Sequence, residues 1–431
     1  MLQRNTYETY LRILREELVP ALGCTEPIAI ALAAAKARET LGEMPQKIRA
    51  SCSGNIIKNA KGVIVPTTGN MKGIDTSAVL GAVAGDPSLG LEVLSKVGPD
   101  DLQRTRELLA EGICTVELLD TPARLHILIE MEGEHHTALA EIRDEHTNVI
   151  RLERDGVRTF FQEEPEPEEA TEPEHSDLDE LNLADILEFA NTVELEEIRP
   201  TLSRQVAYNI RIAQEGMTHA YGGRVGATLM RHYGDNVRIR ARAMAAAGSD
   251  ARMGGCVLPV VINSGSGNQG ITCSVPIVVY ANYLSAPEET MYRALVVSNL
   301  VALLQKRGIG RLSAFCGAVC AACGSGAGIT YLHGGDYDTI GRTITNTLAN
   351  VSGIVCDGAK GSCAAKIAAS VDAAILAHEM SMDGNTFGAG EGLVKESVEQ
   401  TIASIGLMAS KGMKETDAEI LRIMIGQGSG C

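Results

Sequence analysis

Between residues 112 and 162 apolar and polar positions alternate along the chain: ICTVELLD (113–120), ARLHILIEME (123–132), TALAEIRD (137–144) and NVIRLERDGVRTFFQ (148–162). A period of two places one set of side chains on a buried face, and the Asp155-Gly156 pair supplies a hairpin turn. The pattern predicts a small antiparallel sheet. Upstream, residues 1–45 read as helical, and SCSGNIIKNAKGVIVPTTGN (51–70) reads as short strands with Gly-rich turns. Beyond residue 180 the spacing becomes helical: LADILEFANTV (183–193), a long run from about Leu202 to Ala247, and segments 288–306, 311–323, 338–351, 362–380 and 393–425. Four Gly-rich stretches interrupt it and are expected to be bends: GSDARMGG (248–255), NSGSGNQGI (263–271), GSGAG (324–328) and CDGAKGS (356–362). No fixed-period repeat occurs. The fold class expected is α+β, a mainly α-helical domain with a smaller mixed α/β N-terminal part containing an antiparallel sheet.

The two patterns are divided by FQEEPEPEEATEPEHSDLDE, which has ten acidic residues, three prolines and no Lys or Arg. Such a stretch cannot bury a packed face, so residues 161–180 are expected to be an acidic linker or surface excursion between 1–160 and 181–431. The whole chain is also acidic, with net charge -17 over 431 residues. Nucleic acid and anionic membranes demand a basic face, so both are excluded as partners and a small-molecule substrate is expected. The oligomeric state, a homo-oligomer included, stays open. The first twenty residues lack an apolar export segment, which gives a cytoplasmic expectation. The longest uncharged run, Leu312 to Leu332, is rich in Gly, Ser and Cys and reads as a buried segment rather than a membrane span.

Eleven cysteines without an export signal are better read as buried, metal-bound or catalytic thiols than as a disulfide framework. In GCTEPIAIALAAAKA (23–37) Thr25 is the expected N-cap of an Ala-rich helix, with Cys24 just outside it. The positive helix end there would favour thiolate; the plainer alternative is a small buried residue in a turn. FCGAVCAACGSGAG places Cys316, Cys320 and Cys323 on one helical stripe. Their C-x3-C-x2-C spacing matches the cluster motif of radical S-adenosylmethionine enzymes, but too little chain follows to build the barrel that motif needs. In VCDGAKGSC, Cys356 and Cys363 are spaced too widely for a typical zinc pair. An iron–sulfur cluster tolerates that spacing, and one cysteine of the 316 helix would complete a three-thiolate 4Fe–4S site with one open iron. Small polar groups on permissive backbone occur at Ser53, Asn55, Lys58 and Asn59, at His146 to Asn148, at Ser249, Asp250 and Arg252, and at Ser264, Ser266, Asn268 and Gln269. The NSGSGNQG turn could also cradle a phosphate, which keeps pyridoxal phosphate open, although no lysine is marked as its partner.

GCTEP, SDARMGG, NSGSGNQGI and CDGAKGSCAAK, in that order along nearly the whole chain, resemble the L-cysteine desulfidases, relatives of the iron–sulfur L-serine dehydratases. The resemblance implies an oxygen-sensitive 4Fe–4S lyase converting L-cysteine to pyruvate, ammonia and hydrogen sulfide, with the cluster in the helical domain 181–431. It places the cluster ligands at Cys316, Cys356 and Cys363 and the catalytic thiol at Cys24, leaving Cys320 and Cys323 as packing residues. Ser53, Asn55, Asn268 and Gln269 are expected to hold the substrate's carboxylate and ammonium. Cys431, at the end of the GQGSGC tail, is a candidate fourth ligand, because a terminal cysteine can fold back onto the open iron in the related dehydratases. Two alternatives remain: serine dehydration by the same machinery, and a non-catalytic iron–sulfur redox sensor.

Overall fold

The structure is a computed structural model that describes residues 2–162 and 177–425. The Cys431 tail and residues 163–176 of the acidic segment lie outside the described residues. In chain order the elements of the first half are α1 (Arg4–Glu17), β1 (Pro20–Leu22), α2 (Thr25–Leu41), β2 (Lys47–Cys52), α3 (Gly54–Ala60), α4 (Ile74–Ala84), α5 (Pro99–Glu111), β3 (Cys114–Leu118), β4 (His126–Glu132), β5 (Thr137–Arg143), β6 (Val149–Arg154) and β7 (Val157–Phe161). They are followed by α6 (Leu183–Thr192), α7 (Leu195–Thr218), α8 (Val225–Tyr233), α9 (Val237–Met253), β8 (Pro259–Val261), α10 (Gly267–Tyr283), α11 (Glu288–Ile309), α12 (Gly317–Leu332), α13 (Tyr337–Val351), α14 (Cys363–Met382), α15 (Val398–Leu407) and α16 (Lys414–Ile425). The fold is α+β and mainly helical, as the periodicity predicts.

The larger sheet runs β3-β2-β4-β5-β6-β7. It is mixed rather than antiparallel throughout, because β3 lies parallel to β2. The chain between them passes through α3, α4 and α5, and a crossover of that length returns the strand in the same direction. Alternation fixes the register. Ile127, Ile129 and Met131 of β4 face Ile142, Ala140 and Ala138 of β5, and all six are buried. The Ala-rich α2 packs on this face.

A two-stranded pair joins the halves, with Pro20 opposite Val261 and Leu22 opposite Pro259. The principal hydrophobic cluster draws residues from both halves, from Tyr10 and Ile28 to Val371 and Ile405. No helix among the described residues is long and apolar enough to cross a membrane. Of the uncharged run Leu312 to Leu332, residues 317–332 form α12, packed between α11 and α14.

Several expected boundaries change. The run 202–247 is three helices, broken where Gly222, Arg224 and Gly234 adopt positive φ. Segment 54–60, expected as strand and turn, is α3, and residues 267–271 of the expected second bend open α10. GSDARM lies inside α9 and GSGAG inside α12, so neither is a bend. The reason is close helix contact: a Cβ on Gly324 would collide with the Ser298 carbonyl of α11, and one on Gly328 would lie 2.8 Å from that of Ala294. Here glycine removes side-chain bulk between helices instead of turning the chain.

Candidate active site

Cys24, Cys316, Cys356 and Cys363 line one cavity of about 700 Å³, counting its open mouth. Cys24 itself is the N-cap of α2, one position earlier than the cap expected at Thr25. Thr25 opens the helix, and its hydroxyl donates to the Gly265 carbonyl at 2.8 Å, tying α2 to the NSGSGNQG turn. The buried Cys24 thiol donates to Glu26 Oε2 at 2.9 Å, while Asn59 Nδ2 donates to Glu26 Oε1 at 3.0 Å. Burial pushes the Cys24 thiol well up and the Glu26 charge adds to this, outweighing Arg252. The resting group is therefore a thiol, not the thiolate that the helix end alone would favour. Burial also acts to raise Glu26, but His146, the Cys24 thiol and Arg252 hold it below the usual carboxylate range. His146 is pulled both ways: burial and the two arginines favour a neutral ring, Glu26 a charged one, and burial wins.

The other three cysteines come from two helix starts and one loop. Cys316 is the N-cap of α12 and Cys363 the first residue of α14. A short antiparallel bridge between Phe315 and Val355 brings the loop cysteine to them. Across it Cys316 N–H donates to Ile354 O at 3.0 Å and Cys356 N–H to Ala314 O at 2.6 Å. The neighbouring Cys316 thiol, helped by Lys58 and Lys366, pulls Cys356 down to about 6 against its burial, while Cys356 and burial push Cys316 up. Burial raises Cys363. Gly358 has φ +92, and a Cβ there would collide with the Lys58 carbonyl, so the loop needs glycine at this point.

Among the described residues no three Cys, His, Asp or Glu side chains close on a single metal ion. The three thiols instead stand around one cavity beside two helix N-termini, and the nearby Lys58 and Lys366 are each ion-paired, to Asp417 and Asp357. This donor set fits a multi-iron sulfide cluster, which is wider than an ion, binds thiolates and gains from positive surroundings.

Asn268 and Gln269, in the first turn of α10, line the same cavity. Ser53 and Asn55 do not. They line a separate cavity with Arg124 and Asp417, and the Ser53 hydroxyl is occupied by the Arg124 carbonyl at 2.8 Å. Cys320 and Cys323 are buried in α12 outside the cavity. Asp250 of SDARMGG is consumed structurally: its carboxylate accepts from the backbone N–H groups of Gly223 and Val225 at 3.1 and 2.6 Å, holding the turn into α8. Sequence reasoning passed over Glu26, Lys306 and Arg311 as cavity residues. Glu26 could have been found from its place beside Cys24. Lys306 is buried, donates to the Arg311 carbonyl at 3.1 Å, and is lowered by burial against the pull of Cys320, Cys356 and Cys316. Nothing in its local sequence marks it.

The sequence model of the serine dehydratase alpha chain family matches residues 88–422. The chain is 54% identical over 419 residues to a UPF0597 protein of Lachnoclostridium phytofermentans, covering 97% of this chain and 100% of the relative. It is 51% identical to a UPF0597 protein of Desulfitobacterium hafniense, covering 99% of each. A UPF0597 protein of Treponema denticola is 48% identical, with 98% of this chain and 99% of the relative covered. The family match includes Cys316, Cys356 and Cys363, whereas Cys24, Glu26 and Asn59 precede it. Full-length likeness to the UPF0597 proteins spans both groups.

Proposed function

The chain belongs to the serine dehydratase alpha chain family, and from that premise we propose that it is an iron–sulfur-dependent lyase that eliminates hydrogen sulfide from L-cysteine, giving pyruvate and ammonia. The observation that carries the reading is the meeting of four cysteines from distant parts of the chain on one cavity, one of them bonded to a carboxylate. In this reading residues 181–431 hold the cofactor, residues 1–160 bring the acid–base group, and the reducing cytoplasm suits the thiol chemistry.

Cys316, Cys356 and Cys363 would hold a 4Fe–4S cluster, which would supply Lewis acidity to the departing sulfur. The chain's own residues move the proton. Glu26 takes the Cys24 thiol proton across their 2.9 Å bond, an uphill transfer because the thiol is raised and the carboxylate lowered, and the thiolate so formed is correspondingly basic toward the Cα proton. The Cα–H electron pair becomes the new C=C bond, and the Cβ–S pair leaves with sulfur as hydrosulfide. Arg252 offsets negative charge on Cys24 and Glu26 through the shared cavity. The released aminoacrylate tautomerises and hydrolyses to pyruvate and ammonia.

Serine dehydration is the second reading, since the family is named for it and loss of hydroxide needs the same groups. Comparing kcat/KM for L-cysteine and L-serine separates the two. The central experiment is anaerobic reconstitution with iron and sulfide, followed by measurement of pyruvate and sulfide from L-cysteine. Cys24→Ala is expected to keep its cluster and lose roughly 10²–10⁴-fold in kcat. A cluster without turnover in wild type and variant alike would replace the lyase with a redox sensor.

A further inference from the structure

Four buried polar atoms at the candidate active site have no hydrogen-bond partner among the described residues: Arg252 Nε and the amide oxygens of Asn59, Asn268 and Gln269. All four residues line the thiol cavity. Arg252, Asn59 and Gln269 are only 2%, 5% and 5% exposed, so bulk water does not satisfy them. A buried guanidinium or amide without a partner is costly, and several in one cavity indicate a ligand that completes them.

From these atoms we infer that the cavity recognises a free α-amino acid as its zwitterion, with Arg252 taking the α-carboxylate and the amide oxygens of Asn59, Asn268 and Gln269 taking the α-ammonium. The assignment rests on the lyase reading for its chemistry but on the orphaned groups for its geometry. A guanidinium matches a carboxylate in charge and in paired N–H geometry. Arg252 lies against Gly267, the first residue of α10, where a Cβ would meet its Nε. That helix has no side-chain cap, so its free N–H groups add to the anion site.

The ammonium has three N–H donors, and three orphaned amide oxygens are a matching set of acceptors. Asn59 is fixed in this sense because its Nδ2 is bonded to Glu26 Oε1. Glu26 is already engaged by three donors, with the Cys24 thiol and the Thr25 hydroxyl on Oε2 and the Asn59 amide on Oε1, which leaves it at most one further acceptor site. Gln269 is seated against Gly317, where a Cβ would lie 2.6 to 2.8 Å from its amide group and would displace it. A substrate held at both ends in this way has its Cα fixed beside the Cys24–Glu26 pair. Thiols lacking either end are excluded as substrates.

L-Alanine keeps both charged groups and has no leaving group, so its binding is measured without turnover. Calorimetric titration of the anaerobically reconstituted protein with L-alanine, propionate and ethylamine is expected to show binding of L-alanine, with each truncated analogue weaker by roughly 30-fold or more. Arg252→Gln should weaken L-alanine to a similar degree, Arg252→Lys should recover part of the loss, and Gln269→Met should weaken it by about tenfold. Thermal unfolding of each variant checks the fold, and Gln269→Met tests the ammonium half should Arg252→Gln not fold. Equal binding of propionate, ethylamine and L-alanine, or unchanged L-alanine affinity in Arg252→Gln, overturns the inference even if L-cysteine is turned over. Arg252-dependent L-alanine binding in a protein that makes no pyruvate from L-cysteine supports the inference while removing the elimination chemistry.

Discussion

Cys24 and Glu26 stand two residues apart and do different work from the one their local sequence suggests. A thiol at the start of α2 would ordinarily be acidified, yet burial beside a carboxylate keeps it protonated. In the proposed mechanism the pair is a proton couple, with the carboxylate as the resting base. Glu26→Gln removes the acceptor and should lower kcat on L-cysteine by roughly 10²-fold or more while changing KM little, because neither Glu26 oxygen is assigned to substrate. Steady-state kinetics of the reconstituted variant test this. A loss carried entirely by KM would make Glu26 a binding residue. At this scale cysteines were legible because thiols beside Gly-rich turns and helix starts are rare and chemically distinctive. Arg252 was legible only as one polar group in SDARMGG, and Lys306 not at all, since what sets both apart is burial in the cavity wall, a property of the surrounding helices.

At the scale of elements, the donor set depends on how α12, α14 and the loop between α13 and α14 meet. Cys316 and Cys363 occupy helix starts, and the Phe315–Val355 bridge fixes the loop that carries Cys356. Gly358 allows that loop to pass against α3. Gly358→Ala forces both an unfavourable φ and a collision with the Lys58 carbonyl, so it should lower iron bound per chain after reconstitution while leaving far-UV circular dichroism unchanged. Full iron loading in this variant would show that the loop tolerates displacement. Strands β4 to β7 could be read because a half-buried sheet imposes a period of two on its residues. The breaks of 202–247 and the continuity of α12 could not, because a glycine that turns the chain and one that admits a neighbouring helix look alike in sequence.

Across the whole molecule, the helical half stores a pH-dependent penalty away from the cavity. His378 is 2% exposed, bonded through Nδ1 to the Thr330 hydroxyl at 2.9 Å, and packed on the His333 ring at 4.5 Å between centroids. Burial, with His333 adding, lowers it from 6.5 to about 4. Between those values the unfolded chain binds the proton more readily than the folded one, so stability falls with decreasing pH. The penalty is absent well above pH 6.5, grows below it, and is complete below pH 4, where it reaches on the order of 3 kcal/mol. His378→Gln should flatten this part of the curve. The check is the difference in thermal midpoint between wild type and variant from pH 7 to pH 4; a constant difference would show that His378 does not titrate over this range.

The sequence alone determined the class of fold, the alternating strands β3 to β7, the candidate thiols and the acidic net charge. These follow from periodicity, residue chemistry and net charge, which are local or additive. Tertiary structure decided that the Cys24 thiol is bonded to Glu26, that Ser53 and Asn55 face a different cavity from Asn268 and Gln269, and that the Nε of a buried arginine and three amide oxygens lack partners among the described residues. Those facts depend on which groups burial brings together and which it leaves without water, and no spacing along the chain encodes them.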